Sequence, residues 1–356
     1  MTLLYDRVLG FIEDRETDRF ERLATQVFAH QFAHCAAYRD YCTRRGRTPD
    51  TVREWQAIPP VPVVAFTRAE LCCGAPVRTF WSSGTTHGMA ERSRHLLPCP
   101  RLYERSAIAG LRRFIFPDLA CMRIVSLIHR VADLPTSSLA QMIEWAMQTF
   151  GDADSLYAVG PAGLDVEALS ATLRDAEREG RPLCLLTTTA ALLRALDQFR
   201  QRGWSFRLPH GSRLMDTGGD KGAPRRLSRP GLLHAVWNAL AIPGYFCVNE
   251  YGMAELSSQY YDSVIADRVA GRHAARRKLA PHWARLLVLD PDTLAPLPAG
   301  HDGLLCHFDL ANAGSAMAVL SEDIGRLDGD GFQLVGRAPG APARGCSMIA
   351  AEWDAA

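Results

Sequence analysis

The stretch YFCVNEYGMAELSSQ, residues 245–259, passes from an apolar run into a polar loop that carries a lone carboxylate, Glu255. The first half, YFCVNEYG, reads as a β-strand, and the loop after it places Glu255 at the strand's exit, where a carboxylate suits a hard cation such as Mg²⁺. A carboxylate after a strand is also a common turn residue or cap, so the loop alone leaves both roles open.

Working back along the chain, the strand is the last of a series separated by helical spacers. MRIVSLI, LCLLTTT and RLMDTGG read as strands; Ser138 to Phe150, Asp165 to Glu179 and residues 190 to 202 read as helices between them. Such alternation predicts parallel βαβ units. Further upstream, Leu23, Ala24, Val27, Phe28, Phe32 and Cys35 recur at three and four, which predicts one amphipathic helix from Phe20 to about Tyr41. The Pro-rich AIPPVPVV follows as an extended connector, and VRTFWSS alternates like a strand. Forward of the loop, RLLVLD, GLLCHFDL, AMAVLSED and GFQLVGR are separated by short Gly and Pro turns and predict a β-rich last third. The fold class expected is therefore α/β, with βαβ layers and a β-rich C-terminal subdomain.

Composition narrows the function. The 356 residues are 47% hydrophobic and 22% charged, ordinary for a globular enzyme. A formal net charge of +1 gives no global field for nucleic acid or an anionic membrane. The N-terminal MTLLYDRVLGFIEDRETDRF mixes both signs of charge, unlike a signal peptide, and no run of about 18 apolar residues occurs, so a cytoplasmic location is expected. Ten scattered cysteines without a CxxC pair read as reduced thiols, mostly core hydrophobes.

Three other stretches join the Glu255 loop. In FWSSGTTHG (80–88), Ser82, Ser83, Gly84, Thr85 and Thr86 offer hydroxyls beside a glycine whose missing Cβ lets backbone N–H groups approach an anion. The composition equally fits a plain turn, and the spacing is not that of a Walker A loop. DTGGDKG (216–222) ends a predicted strand with Gly218 and Gly219, where a flat base can lie on exposed backbone. VLSEDIGRL (319–327) places Asp323 where the β-rich segment is expected to turn, able to accept hydrogen bonds from two ribose hydroxyls.

In this order, SSGTT, GGDKG, YGMAE, EDIGR and the closing Gly336-Arg337 resemble the adenylate-forming superfamily of acyl ligases, which make acyl-AMP from a carboxylate and ATP. Within it the chain most resembles the acyl-protein synthetases of the bacterial luminescence fatty-acid reductase system (LuxE type). HCAAYRDYC, YGMAELSSQ, APHWARLLVLDPDTLAPLPAGHDGLL and the terminal RGC carry that likeness over nearly the whole chain. The resemblance implies that Ser82, Ser83, Gly84, Thr85 and Thr86 hold the triphosphate and that Gly218 and Gly219 flank adenine. Tyr251 and Gly252 of the YGMAE motif would complete the nucleotide site, Glu255 would bind Mg²⁺, and Asp323 and Arg337 would hold the ribose. The chain departs from the superfamily at His87, which stands before Gly88 where a glycine usually follows the second threonine, and at MAERSR, which lacks the usual lysine.

The end of the chain shapes the rest of the expectation. Nineteen residues follow Arg337, too few for the small C-terminal domain whose lysine usually closes over the adenylate, so the chain is expected to lack it. Among 40 basic side chains only Lys221 and Lys278 are lysines. Lys221, in the glycine-rich turn, is the better candidate to neutralise phosphate charge; Lys278 ends RHAARRK, read as a solvated face rather than a docking patch. Cys346, beside Arg344 near the terminus, is suited to attack a mixed anhydride as a thiolate, although it could also merely fill a gap at a tail. In the resembled family the matching cysteine takes the acyl group as a thioester and passes it to a reductase subunit.

The expected organisation is a helical segment at 1–60, an α/β nucleotide-binding core at 61–265, a β-rich subdomain at 266–337 and an arm at 338–356 carrying Cys346. The expected function is ATP-dependent activation of a carboxylic acid, of fatty type by resemblance, with transfer to Cys346 and delivery to an acyl reductase partner. Two other readings stay open: an acyl-CoA ligase of the phenylacetate-activating group, and a non-catalytic scaffold for a reductase.

Overall fold

The computed structural model describes residues 2–14, 19–82, 92–218 and 226–337. The chain divides into two compact units, one of Gly110–Gly252 with Tyr261–Arg276, the other of Met1–Ala109, Met253–Tyr260 and Arg277–Ala356.

In the first unit the predicted βαβ series forms. Strands Leu156–Tyr157, Arg123–Ser126, Leu183–Thr188, Arg213–Thr217 and Cys247–Tyr251 lie side by side in that order, each parallel to its neighbour. RIVS and RLMDT are buried at every position, because helices cover both faces of a parallel sheet. The helices start where side-chain oxygens satisfy first-turn amides. Ser137 caps Ser138–Phe150, Asp165 caps Val166–Glu179, Thr188 caps Thr189–Arg202 and Ser228 caps Arg229–Leu240. Gly180 and Gly203 end two of them at φ 65° and 66°, the left-handed region that other residues avoid.

One cation is buried in this unit. Arg213 is 1% exposed; its guanidinium donates to the Ile115 carbonyl at 2.7 Å and to both Asp118 oxygens at 2.7 and 3.0 Å, and it lies over the Phe246 ring. Partial burial pushes the Asp118 carboxyl up, but the Arg213 hydrogen bonds and charge outweigh it and hold it below the usual carboxylate range.

The second unit is built on antiparallel strands. Ala284–Leu289, Asp302–Asp309, Ala318–Asp328, Gly331–Arg337 and Lys278–Leu279 neighbour one another in that order. A separate hairpin pairs Arg78–Trp81 with Arg94–Leu97. The Pro-rich connector, expected as plain extended chain, adds Val61–Pro62 as a short parallel strand on Val319 and Leu320. The single helix expected from Phe20 to Tyr41 is two helices, Phe20–His34 and Ala36–Arg44, broken at Cys35 (φ −111°, ψ 101°). Tertiary contact overrides the periodicity: in the second helix the Tyr38 and Tyr41 hydroxyls donate to the Pro59 and Pro60 carbonyls at 2.8 and 2.9 Å. Buried Gln31 donates to the Asn312 and Ala313 carbonyls and accepts from the Met317 amide, tying the first helix to the turn after Asp309.

Two expectations are corrected. Asp323 is not at a turn: it lies inside Ala318–Asp328, beside a register shift at Ile324/Gly325, because Gly325 lets the strand pass Leu305 and the Gln333 carbonyl where a Cβ would clash. The basic run is not uniformly solvated: Arg277 pairs with Asp330, and Lys278 is 5% exposed in a strand against Phe332. None of the nine cysteines among the described residues forms a disulfide. No helix among those residues is long and apolar enough to cross a membrane.

Replacing Arg213 with Met is expected to destabilise the fold by about 3 kcal/mol in urea titrations at pH 7, since it strands the Ile115 carbonyl and the Asp118 carboxylate. The depressed Asp118 group contributes stability above its unfolded value of about 4. The gap between the two proteins should therefore narrow as pH falls through that range; a gap constant down to pH 3 would contradict the pairing.

Candidate nucleotide and acid-activation site

In the second unit, the hairpin extends one pair beyond its strands. The Ser82 amide donates to the Ser93 carbonyl and the Ser93 amide to the Ser82 hydroxyl, both at 3.0 Å. Arg92 Nε also donates to the Ser82 carbonyl at 2.5 Å, so the described ends of the Ser/Thr/Gly stretch lie together. Ser83, Gly84, Thr85 and Thr86 lie outside the described residues.

Glu255 is 7% exposed. Burial pushes its carboxyl above the usual range; hydrogen bonds from the Ser93 hydroxyl and its own backbone amide and the charge of Arg337 act the other way, and Asp323 adds to the rise. The structure therefore brings together three predicted residues, Glu255, Asp323 and Arg337, around a carboxylate without full compensation. Asp323 and Arg337 are cross-strand partners, with Nε 3.8 Å from the carboxylate, and Arg337 also lies 3.4 Å from Glu322.

The Glu255 loop is held by buried groups that sequence reasoning missed. Asn312 Nδ2 donates to the Glu255 carbonyl at 2.8 Å, and His95 Nδ1 contacts the Ala254 carbonyl at 2.9 Å. Asp309, fully buried, accepts from the Ser257 and Ser258 amides at 3.0 and 2.8 Å and from the Ser258 hydroxyl at 2.6 Å. Burial lifts the Asp309 carboxyl to about 6 in spite of these donors, and lowers His95 to about 4, leaving the ring neutral at pH 7. The one signal in the sequence was a charged residue in the otherwise apolar strand GLLCHFDL; nothing marked His95.

In the first unit, Gly218, Tyr251 and Gly252 sit at the carboxyl ends of two adjacent parallel strands, where open α/β sheets place ligands. Gly218 has φ 72°. Beneath them lies an ion cluster that sequence reasoning also missed. Asp216 accepts from Arg229 at 2.6 Å, Thr189 at 2.9 Å and Asn249 at 3.0 Å; Asp262 accepts from Arg276 at 2.5 Å and the Asn249 amide at 3.0 Å. The Thr217 hydroxyl donates to Glu250 on the paired strand. The Thr189 hydroxyl also lies 3.0 Å from the Gly218 carbonyl, tying the end of one strand to the start of the Thr189–Arg202 helix. Gly219, Lys221 and Cys346 lie outside the described residues.

A divalent cation fits the Glu255 donor set. Among the described residues no three His, Cys, Asp or Glu side chains are grouped to hold a metal, but Mg²⁺ is commonly held by one or two carboxylates together with substrate phosphates. A buried carboxylate pushed up by desolvation is stabilised by such a charge.

No protein-family model matches the chain, and no curated protein matches it in sequence. Solved structures do match in shape. An open conformation of 2-hydroxyisobutyryl-CoA ligase in complex with 2-HIB-AMP and CoA superposes with a TM-score of 0.64 at 13% identity, covering 89% of this chain and 69% of that one. The same ligase in its thioesterification state gives 0.63 at 14% identity, covering 88% and 66%. ATP-bound MatB from Rhodopseudomonas palustris gives 0.50 at 16% identity; 74% of this chain matches about half, 49%, of that chain. The α/β fold expected from the sequence is thus present, and it is the fold of adenylate-forming ligases.

Proposed function

We infer that this chain activates a carboxylic acid with ATP, forming acyl-AMP, and passes the acyl group to a thiol. One observation carries the reading: within the adenylate-forming ligase fold, the buried Glu255 sits under the joint influence of Ser93, Asp323 and Arg337. The same residue types in the same chain order motivated the sequence expectation.

The chemistry balances in two steps. A carboxylate oxygen of the acid attacks the α-phosphorus of ATP, and pyrophosphate leaves with the electron pair of the broken P–O bond. A thiolate then attacks the acyl carbon of the mixed anhydride, and AMP leaves. The carboxylate alone resists a nucleophile because it is anionic and has no leaving group; AMP provides one. Bound Mg²⁺ would supply charge neutralisation on the phosphates. Of this chain's residues, Glu255 holds that cation, the Ser82–Thr86 turn and Lys221 bind the phosphates, Gly218, Gly219, Tyr251 and Gly252 seat the base, and Asp323 with Arg337 holds the ribose.

Cys346 is the proposed thiol, the acid a fatty acid, and an acyl reductase the receiving partner. This finer assignment rests on the terminal RGC and the other stretches of LuxE-type resemblance. The competing acceptor is free coenzyme A, favoured by the CoA bound in the ligase of similar fold.

Carboxylic-acid-dependent exchange of pyrophosphate into ATP is expected for the wild-type chain, and its absence across fatty and aromatic acids would leave only the scaffold reading. Glu255→Gln should lower the exchange rate by roughly a hundredfold. Because the free Glu255 carboxyl is raised, the Mg²⁺ concentration for half-maximal exchange should climb as pH falls from a point above the ordinary glutamate value of about 4.3; no pH dependence would remove Glu255 from the cation site.

Incubation with radiolabelled fatty acid and ATP should leave a hydroxylamine-labile label on the protein, lost in Cys346→Ser. An undiminished label in that variant rejects Cys346, and acyl-CoA formation that survives it favours the coenzyme A reading.

A further inference from the structure

We propose that His95 is the positioning residue for Glu255, setting where its carboxylate presents to the cation. The proposal rests on Glu255 serving the cation, as inferred above, and extends it to a side chain that neither motif nor resemblance marks.

Ser93 and His95 are two residues apart around Arg94, so they face the same side of the extended chain that enters the Arg94–Leu97 strand. Both are buried, at 9% and 1% exposure, while Arg94 between them is only partly so. Ser93 bonds the Glu255 carboxylate; His95 bonds the carbonyl of the preceding residue, Ala254, at 2.9 Å. Side chain and backbone of the same short loop are thus gripped from one strand. The first residue of that grip, Ser93, is also the one whose backbone pairs with Ser82 at the base of the turn.

Geometry fixes the state of the ring. A carbonyl can only accept, so Nδ1 carries the proton and donates. Nε2 is then a bare acceptor, buried and without a hydrogen-bond partner among the described residues. Among those residues the polar bond that orients the ring is the one to Ala254, with the Phe66 ring packed edge-on at 5.9 Å. A buried acceptor left unpaired costs about 1–3 kcal/mol. A residue kept there only to fill space would not carry that atom, whereas the Nδ1 donor aimed at the Glu255 loop explains a histidine.

The bond lies one residue from the carboxylate, so its loss frees the Ala254–Glu255 peptide to rotate and spreads the carboxylate over several positions. The Ser93 bond holds the carboxylate and the Asn312 bond holds the Glu255 carbonyl, on the next peptide, but neither holds the Ala254 carbonyl. The effect expected is therefore on cation binding, with the acid and thiol steps untouched.

The test is Mn²⁺ binding to the full chain with a non-hydrolysable ATP analogue, followed by electron paramagnetic resonance. His95→Leu should weaken Mn²⁺ affinity about tenfold. His95→Asn, whose amide nitrogen replaces Nδ1 as donor, should stay within about threefold of wild type. The KM for the carboxylic acid should change less than twofold in both. Should His95→Leu fail to fold, His95→Gln, which places its donor at the Nε2 position, takes its place with the same expectation. Wild-type affinity in the variant lacking the donor, or equal losses in it and His95→Asn, overturns the positioning role. Absence of any nucleotide-dependent Mn²⁺ signal in wild type overturns the cation assignment of Glu255 together with the inference built on it, and so is told apart from failure of His95 alone.

Discussion

The carboxylate of Asp309 is the point from which the Glu255 loop hangs. It lies at the end of Asp302–Asp309, out of contact with solvent, and accepts from the amides of Ser257, Ser258 and Ala311 and from the Ser258 hydroxyl. Ser258 has one hydroxyl proton, and the 2.6 Å bond to Asp309 takes it. Its oxygen must then accept from the Trp283 indole at 2.8 Å and from Ser106 at 2.9 Å. Donors from the loop, the Pro100–Phe114 helix and the segment before Ala284–Leu289 thereby converge on one negative charge. Burial still lifts the group to about 6, so the donors offset most, though not all, of its desolvation, and it is ionised at neutral pH.

A loop clamped at Ala254, Glu255, Ser257 and Ser258 keeps one side chain free of structural duty, the Glu255 carboxylate, and that carboxylate is short of positive charge. Asp309 has four donors within its own unit, whereas Glu255 has the Ser93 hydroxyl, its own backbone amide and the charge of Arg337. Two buried acids in neighbouring positions are thus distinguished by how completely the protein satisfies them. The saturated one holds the backbone, and the unsaturated one is the carboxylate to which the proposed function assigns the cation. In that proposal a single protein carboxylate would suffice for Mg²⁺, because the phosphates would bring the remaining oxygens.

The parts legible in the sequence were those encoded by short-range pattern. Apolar runs with polar spacers gave the parallel strands, and the helices expected at Ser138 to Phe150 and Asp165 to Glu179 form, the second with Asp165 as its cap. Glu255, Asp323 and Arg337 are singled out by the resemblance of their order along the chain to a known series. What was missed depends on partners far away in sequence: His95 meets Ala254 across 159 positions, Gln31 meets Asn312 across 281, and Asp216 joins Arg229, Asn249 and Thr189 from three elements. The break at Cys35 and the strand interior at Asp323 were misread for the same reason. The periodicity of Phe20 to Tyr41 records which face is buried but not that Tyr38 and Tyr41 must reach two proline carbonyls.

The scarcity of lysine also acquires a physical meaning. Arg213 bonds a carbonyl and both oxygens of a carboxylate with one planar group, and Arg276 joins Asp262 to the carbonyls of Cys247 and Gly244 at 2.8 and 2.6 Å. An ammonium presents no such fork, so these positions demand arginine. Arg337 is different: half its side chain is exposed, and its carboxylate neighbours stand at 3.4 and 3.8 Å. Exposed pairs of that length contribute about 0–1 kcal/mol, little enough to be exchanged for a ligand's hydroxyls or phosphate. Packing therefore separates arginines that hold the fold from one left half exposed in loose pairs, a distinction that composition alone, which counts them together, does not contain.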